Sequence, residues 1–392
     1  LSRDNDLLFE KNPWGGFLRK KWILTNFIFW DIQSLYMRKP IQSVKFDNQN
    51  QGGENMAKRI FFVTVVLFLV LALALPGPAG AQQKKRFFGI ATGGVGGVYY
   101  PLGGALAQAL TNKIPDMVVT AQTGNATVAN LNLISRGEVE SGIAQNNISL
   151  AAYVGDKETW KTPQIKGLRG ISALFPETTH IVVQKKAGMK SIYDIKGKRV
   201  IVGDKGSGTD FDAQRILATM NMTYNDIQPI YVYYAAAVQR MQDEQADLLF
   251  WTAGVPISSI TEIATTKDVD FLSFPDDVVK KLQAKYPYYT GVTIPAKSYP
   301  KQPNPVGAIA IISLWVTRAE VSEKDVYDVT YHLWEKTPQL YREKKEMVSG
   351  SEMMAAAHEQ GKNVQFESAL AGMTIPLHMG AYKYYKEKGV NI

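Results

Sequence analysis

From Gln82 to the end of the chain, short apolar runs alternate with stretches whose apolar residues return every three or four positions. The first pattern suits a buried strand and the second one face of a helix, so the alternation predicts an α/β protein with mostly parallel strands. Four strand-to-helix junctions repeat one design. Phe87, Phe88 and Ile90 lead into Gly93-Gly94-Val95-Gly96-Gly97, then Pro101 and a face of Leu102, Leu106, Ala109 and Leu110. Gly142-Ile143-Ala144 runs into Gln145-Asn146-Asn147 and a short helix reaching Tyr153. Arg199 to Val202 precedes Gly203-Asp204-Lys205-Gly206-Ser207-Gly208-Thr209 and a helix with Ala213, Ile216, Leu217 and Met220 on one side. Asp247 to Trp251 precedes Thr252-Ala253-Gly254-Val255, Pro256 and another helix.

Each junction alone is common punctuation, because glycine and proline mark helix starts whether or not a ligand is present. Their combination says more: open α/β sheets gather such loops at the carboxyl ends of strands, where ligands bind. Free N–H groups at helix starts suit a small anion, and glycine lets the backbone approach it closely. Ser207 and Thr209 add hydroxyls, the amides of Gln145, Asn146 and Asn147 can donate and accept, and Lys205 adds charge. Tyr99, Tyr100 and the Tyr286-Pro287-Tyr288-Tyr289 cluster are candidate walls for a cleft.

Upstream of this region, Met56 to Ala81 has the form of a cleavable export signal. Lys58 and Arg59 form a basic start, Ile60 to Leu75 is an uncharged apolar run, and Ala79-Gly80-Ala81 is a cleavage site. The run is shorter than the ~20 apolar residues that usually span a bilayer, which favours a signal over an anchor. A signal works at a chain's beginning, so Met56 is the expected start and residues 1–55 are expected to be a translated upstream leader. Gly52-Gly53-Glu54 would be encoded by a purine-rich string suited to a ribosome-binding site. The alternative is a genuine extension in which Trp22 to Trp30 forms a buried element; N-terminal sequencing of the precursor separates the two.

Without residues 1–81 the chain keeps 311 residues, enough for two ordinary domains. The removed part holds ten Lys/Arg and six Asp/Glu, so the balance falls from +8 to +4, with 34 basic against 30 acidic residues. No cluster of Lys and Arg forms a nucleic-acid footprint. Cysteine is absent, which excludes disulfides, thiolate chemistry, Cys-ligated metal and a lipid-bearing cysteine. An exported protein of this kind is expected in a Gram-negative periplasm. His180, His332, His358 and His378 show no metal-ligand spacing, and no GxSxG, Walker or GxGxxG pattern is met. Binding without cofactor or metal is therefore expected in place of catalysis.

Leu168 to Lys185 reads as two extended runs about Phe175-Pro176 and suits a passage between lobes; a second passage is expected near Gly307 to Thr317. Helices over Lys324 to Glu335 and Gly380 to Lys388 would return to the first lobe. The expected division is 82–179 with 310–392 as lobe 1 and 180–309 as lobe 2, and two crossings would make a hinge.

TGGVGGVYYPLGGALA, GIAQNN, GDKGSGTD, YPYYTGVTIPAKSYP and ALAGMTIPLHMGAYKYYKEKG occur in an order that resembles solute receptors of the TAXI type, the TRAP-associated extracytoplasmic immunogenic proteins, over roughly Arg86 to Val390. The resemblance implies a two-lobed receptor of the type II periplasmic binding-protein class, with a ligand cleft between its lobes. It would deliver a small organic anion to the membrane subunits of a TRAP transporter, as a monomer. Glutamate, glutamine, 2-oxoglutarate or another C4–C5 dicarboxylate would be the ligand. Carried over by motif, Thr92, Gly93, Gly94, Val95, Gly96 and Gly97, with Tyr99 or Tyr100, would contact it from one lobe together with Gln145, Asn146 and Asn147. Gly206, Ser207, Gly208 and Thr209, with Ala253 and Gly254, would contact it from the other. Val95 stands where the family often has Ser or Thr. Asn147 stands at a position that is often acidic, a change that favours an anion. An exported sensor of the same ligand, or a two-lobed enzyme, is the alternative.

Overall fold

Three buried apolar clusters organise the part of the chain after the export-like segment. The computed structural model describes residues 60–65, 85–124, 126–157, 159–339 and 346–392. The chain divides into two compact units, Leu1–Ala81 and Gln82–Ile392. In the first, residues 60–65 are helical; the leader over 1–55 and the rest of the signal segment over 56–81 lie outside the described residues. Among the described residues no helix is long and apolar enough to cross a membrane.

The second unit opens with β1 (Arg86–Ala91), α1 (Tyr99–Thr111), β2 (Met117–Gln122), α2 (Ala126–Ser135), β3 (Ser141–Gln145) and α3 (Asn146–Val154). A long strand β4 (Leu168–Gln184) follows, then β5 (Arg199–Ile201), α4 (Gly208–Thr219), β6 (Gln228–Ile230), α5 (Tyr234–Gln242) and β7 (Leu248–Ala253). Next come α6 (Ser258–Thr266), β8 (Val269–Phe271), α7 (Asp276–Lys285), β9 (Thr290–Ile294) and a second long strand, β10 (Val306–Arg318). The chain closes with α8 (Glu323–Trp334), the short pair β11 (Thr337–Pro338) and β12 (Met347–Val348), α9 (Gly350–Ala357) and α10 (Met379–Glu387).

The strands join in the order β2-β1-β3-β10-β4-β7-β5-β6, with β8 on β4 and β9 on β10. The outer groups β1–β2–β3 and β5–β6–β7 are parallel inside themselves. The two long strands are antiparallel to each other and to their neighbours, so the sheet is mixed. Both long strands run from one core to another. Leu168, Ile171 and Ala173 of β4 are buried with the first-half clusters, whereas Ile181, Val182 and Val183 belong to the cluster built from residues 181–311. On β10, Ile309 and Ile311 share that cluster, while Leu314, Trp315 and Val316 sit in the other two.

Strand periodicity explains why the first half has two clusters. Trp315 faces one side with Ile143 and Phe88, and Leu314, Val316 and Ala144 face the other. Trp315 is fully buried, meets Phe88 edge-on at 6.4 Å, and donates its indole N–H to Ser141 Oγ at 3.0 Å. That bond removes the cost of burying the indole nitrogen. Pro176, which cannot donate to a ladder, lies opposite Ile312 beside a register shift in the β4–β10 pairing. Phe175 and Glu177, on either side of it, line a cleft.

Candidate functional site

The cleft is lined from both sides of the β4 and β10 passages. Gly93, Gly94, Gly97 and Tyr99, from the turn before α1, line one side with Thr127 and Gln145. Gly203, Asp204, Ser207, Gly208 and Thr209, from the turn into α4, line the other. Tyr233 and Tyr234 at the start of α5, and Trp251 to Gly254 at the end of β7, complete that side; Phe175 and Glu177 of β4 lie between. The four junctions read from sequence, joined by those into α2 and α5, thus meet at one cavity.

Local sequence accounts for the shape. At Gly97 an added Cβ would come within 2.7–2.8 Å of the Tyr234 ring, so only glycine lets the turn lie flat against that tyrosine. Gly203 adopts φ +81°, and a Cβ there would meet Ser207 Oγ at 2.7 Å. Ser207 is the N-cap of α4: its Oγ accepts from Asp210 N at 3.2 Å, while Asp210 Oδ2 accepts from Gly206 N at 2.9 Å. Thr209 Oγ1 accepts from Thr252 N at 3.1 Å and ties the α4 turn to the end of β7. Both hydroxyls keep a proton to donate. The N-termini of α1 and α5 have no side-chain cap, and residues from both starts line the cleft. Partial positive charge from these helix starts faces the cavity.

Ten of the residues singled out in sequence line the cleft: Gly93, Gly94, Gly97, Tyr99, Gln145, Ser207, Gly208, Thr209, Ala253 and Gly254. The others have different surroundings. Thr92 is buried and donates to Gln122 O at 2.7 Å, which joins the turn to β2. Val95 is 72% exposed at the turn's tip, and Gly96 offers its carbonyl to Ser258 Oγ at 3.3 Å. Tyr100 is half-buried on α1, one residue from the lining Tyr99. Asn146 Nδ2 donates to Gly372 O at 3.1 Å. Asn147 Nδ2 donates to Asp212 Oδ1 at 3.1 Å, and its Oδ1 accepts from Ile148 N. Gly206 and Lys205 line a separate, more open cleft with Arg215, Tyr224 and Tyr286. Tyr289 is buried and bonded through its hydroxyl to Asp212.

The chemistry absent from the sequence reading centres on Glu177. Its carboxylate is buried where β4 passes between cores; Oε1 accepts from the Tyr99 hydroxyl and Oε2 from Gln145 Nε2 at 3.2 Å. Burial pushes the carboxyl up to about 8, against the pull of those two bonds, and the nearby Asp212 charge adds to the rise. Gln145 Oε1 is buried without a hydrogen-bond partner. Aromatic walls stand around these acceptors: Tyr99 meets Phe175 edge-on at 6.2 Å, and Tyr234 leans on Trp251 at 4.6 Å. No lysine, arginine or histidine is among the described residues that line the cleft. His180, three β4 positions beyond Glu177, is held by Trp251 O at 3.0 Å and the Tyr299 hydroxyl at 2.8 Å; burial holds it down near 4. Among the described residues no group of His, Asp and Glu could hold a metal ion.

Similarity to solved structures is low in sequence and partial in shape. The periplasmic aliphatic sulphonate binding protein SsuA of Escherichia coli is 17% identical, with 78% of this chain and 84% of that one covered at a TM-score of 0.43. The ligand binding component of an ABC-type import system from Staphylococcus aureus, with zinc bound, is 9% identical over 78% and 92%, at 0.44. The alkanesulfonate-binding protein SsuA of Xanthomonas axonopodis pv. citri, bound to MOPS, is 16% identical over 52% and 91%, at 0.33. A family model matches residues 90–389, and by that match the chain belongs to the NMT1-like family.

Proposed function

We propose that this protein is an extracytoplasmic solute receptor, which closes two lobes over a small polar solute and passes it to a membrane transporter. The lobes are 82–179 with 310–392 and 180–309, and the hinge is the pair of passages in β4 and β10. The observation that carries the reading is that one cavity is lined by loops from both sides of those passages. Direct bonds also join the sides, from Ser258 Oγ to Gly96 O and from Asn147 Nδ2 to Asp212 Oδ1. A carboxylate on the solute would sit at the uncapped starts of α1 and α5, where backbone N–H groups and the helix dipoles favour negative charge. Ser207 and Thr209 would supply their remaining hydroxyl protons. Among the described lining residues no lysine or histidine stands beside the Ser207 or Thr209 hydroxyl to serve as a base, so binding is favoured over catalysis.

The order of the TGGVGGVYY, GIAQNN and GDKGSGTD motifs supports the TAXI-type reading, with the permease of a TRAP transporter as partner, a periplasmic location and a monomeric receptor. A thermal-shift screen of the purified protein, freed of endogenous ligand, tests the receptor role with amino acids, 2-oxo acids, dicarboxylates and sulfonates. A solute at 100 times its dissociation constant should stabilise the fold by ~2.7 kcal/mol. No shift with any of these classes would overturn the receptor reading. Uptake reconstituted with an ATP-hydrolysing importer in place of a TRAP permease would overturn the choice of partner alone.

A further inference from the structure

We propose that Glu177 and Gln145 form an amine-recognising subsite, so that the solute carries a primary ammonium. The inference rests on the receptor reading above and names the ligand class of that same cleft. Glu177 uses one lone pair on each oxygen for Tyr99 and Gln145, and a carboxylate has about four acceptor sites. Gln145 Oε1, 2% exposed by residue, has no partner at all. Two neighbouring residues that line the cleft, Glu177 and Gln145, thus keep acceptor capacity where the described lining residues supply no cation. Aromatic faces beside them favour a desolvated cation further.

The groups facing Glu177 argue for an ammonium over a second carboxylate. Tyr99 comes from α1, Gln145 from the end of β3, Tyr234 from α5 and Asp212 from α4. Ile311 pairs with Glu177 from β10, Trp251 and Thr252 close the β7 side, and Asp204 also lines the cavity. All of these are neutral or acidic. An ammonium can donate both to Gln145 Oε1 and to Glu177, whereas a second carboxylate, an acceptor only, leaves Gln145 Oε1 unpaired. In the empty cleft burial keeps the carboxyl protonated below about pH 8. An incoming ammonium needs the carboxylate, so the proton leaves as the ammonium arrives.

Calorimetric titration of the full protein with amino acids and their 2-oxo acid counterparts, each pair differing only in the amine, tests this. At least one amino acid should bind more than tenfold tighter than its 2-oxo acid. In buffers of different ionisation enthalpy the heats should reveal close to one proton released per solute at pH 6.5. Affinity should climb by up to about tenfold per pH unit from pH 6 towards 8. Glu177→Gln should erase the preference and the pH dependence, and the wild-type proton count serves if that variant fails to fold. Tight binding of a 2-oxo acid or dicarboxylate, with no proton released and no preference for the amine, would overturn the subsite and leave the receptor reading intact. Silence from every solute would overturn both.

Discussion

Glu177 shows how much of a site a single residue can hide. In sequence it lies in Phe175-Pro176-Glu177-Thr178-Thr179-His180, where two extended runs meet in the expected passage between lobes. The fold instead buries all of Glu177, Thr178, Thr179 and His180 at the passage between cores. The legible signal was a carboxylate inside a strand otherwise suited to full burial, but burial comes from long-range packing, which pattern cannot supply. Glycines were legible for the converse reason: they announce a missing side chain. They do not announce what fills the space, and at Gly97 that is the ring of Tyr234. Gly97→Ala should therefore separate the turn from Tyr234. Overpacking of this kind costs roughly 1–3 kcal/mol, so a lowered unfolding midpoint together with solute affinity weakened tenfold or more is expected. Unchanged affinity and midpoint, measured by denaturation and calorimetry, would show that the contact is dispensable.

Among the elements, junction helices were readable because their apolar faces and starting residues act locally. α1, α3, α4 and α6 begin where glycine, amide, serine or proline punctuation placed a helix. The side chains at those starts proved to have two uses. Ser207 caps α4, and Asn146 and Asn147 fix α3 to neighbouring segments. Sequence type alone cannot tell a cap from a ligand contact, since both need a short polar side chain at a helix start. Ser207→Ala separates them. Loss of the cap should cost about 1 kcal/mol in denaturant unfolding of the solute-free protein. Any loss of affinity beyond the cost shared by the solute-free protein then reports its hydroxyl donation. A variant as stable as the parent would remove the capping role.

At the scale of the whole molecule, the buried titrating groups set a pH profile. Glu177 is held at about 8 in the fold against an ordinary 4.5, so between those values the folded chain keeps a proton that the unfolded chain has lost. Stability from that group must fall as pH rises through the window; Asp212, raised by burial, acts in the same direction. His180 and His332 run the other way, held near 4 by burial against an ordinary 6.5, so the fold loses stability as pH falls from 6.5 to 4. Above pH 6.5 the histidine contribution is constant, and unfolding free energy should decline towards pH 8 by on the order of 1 kcal/mol per pH unit. Denaturant melts at pH 6.5, 7.25 and 8 check the slope, which Glu177→Gln should make shallower; a rise in stability over that range would contradict the assignment.

The lobes themselves were expected from two extended passages in the sequence, and β4 and β10 occupy those stretches. Their closure over a solute remains the proposal on which the function rests. The chain has no cysteine, so a pair introduced as Val95→Cys and Tyr231→Cys, exposed positions at the tip of the glycine turn and before α5, can carry spin labels without competition. The distance between them, measured with and without a saturating solute identified by calorimetry, should shorten and narrow into one population. An unchanged distribution at full occupancy would contradict closure of two lobes around the ligand.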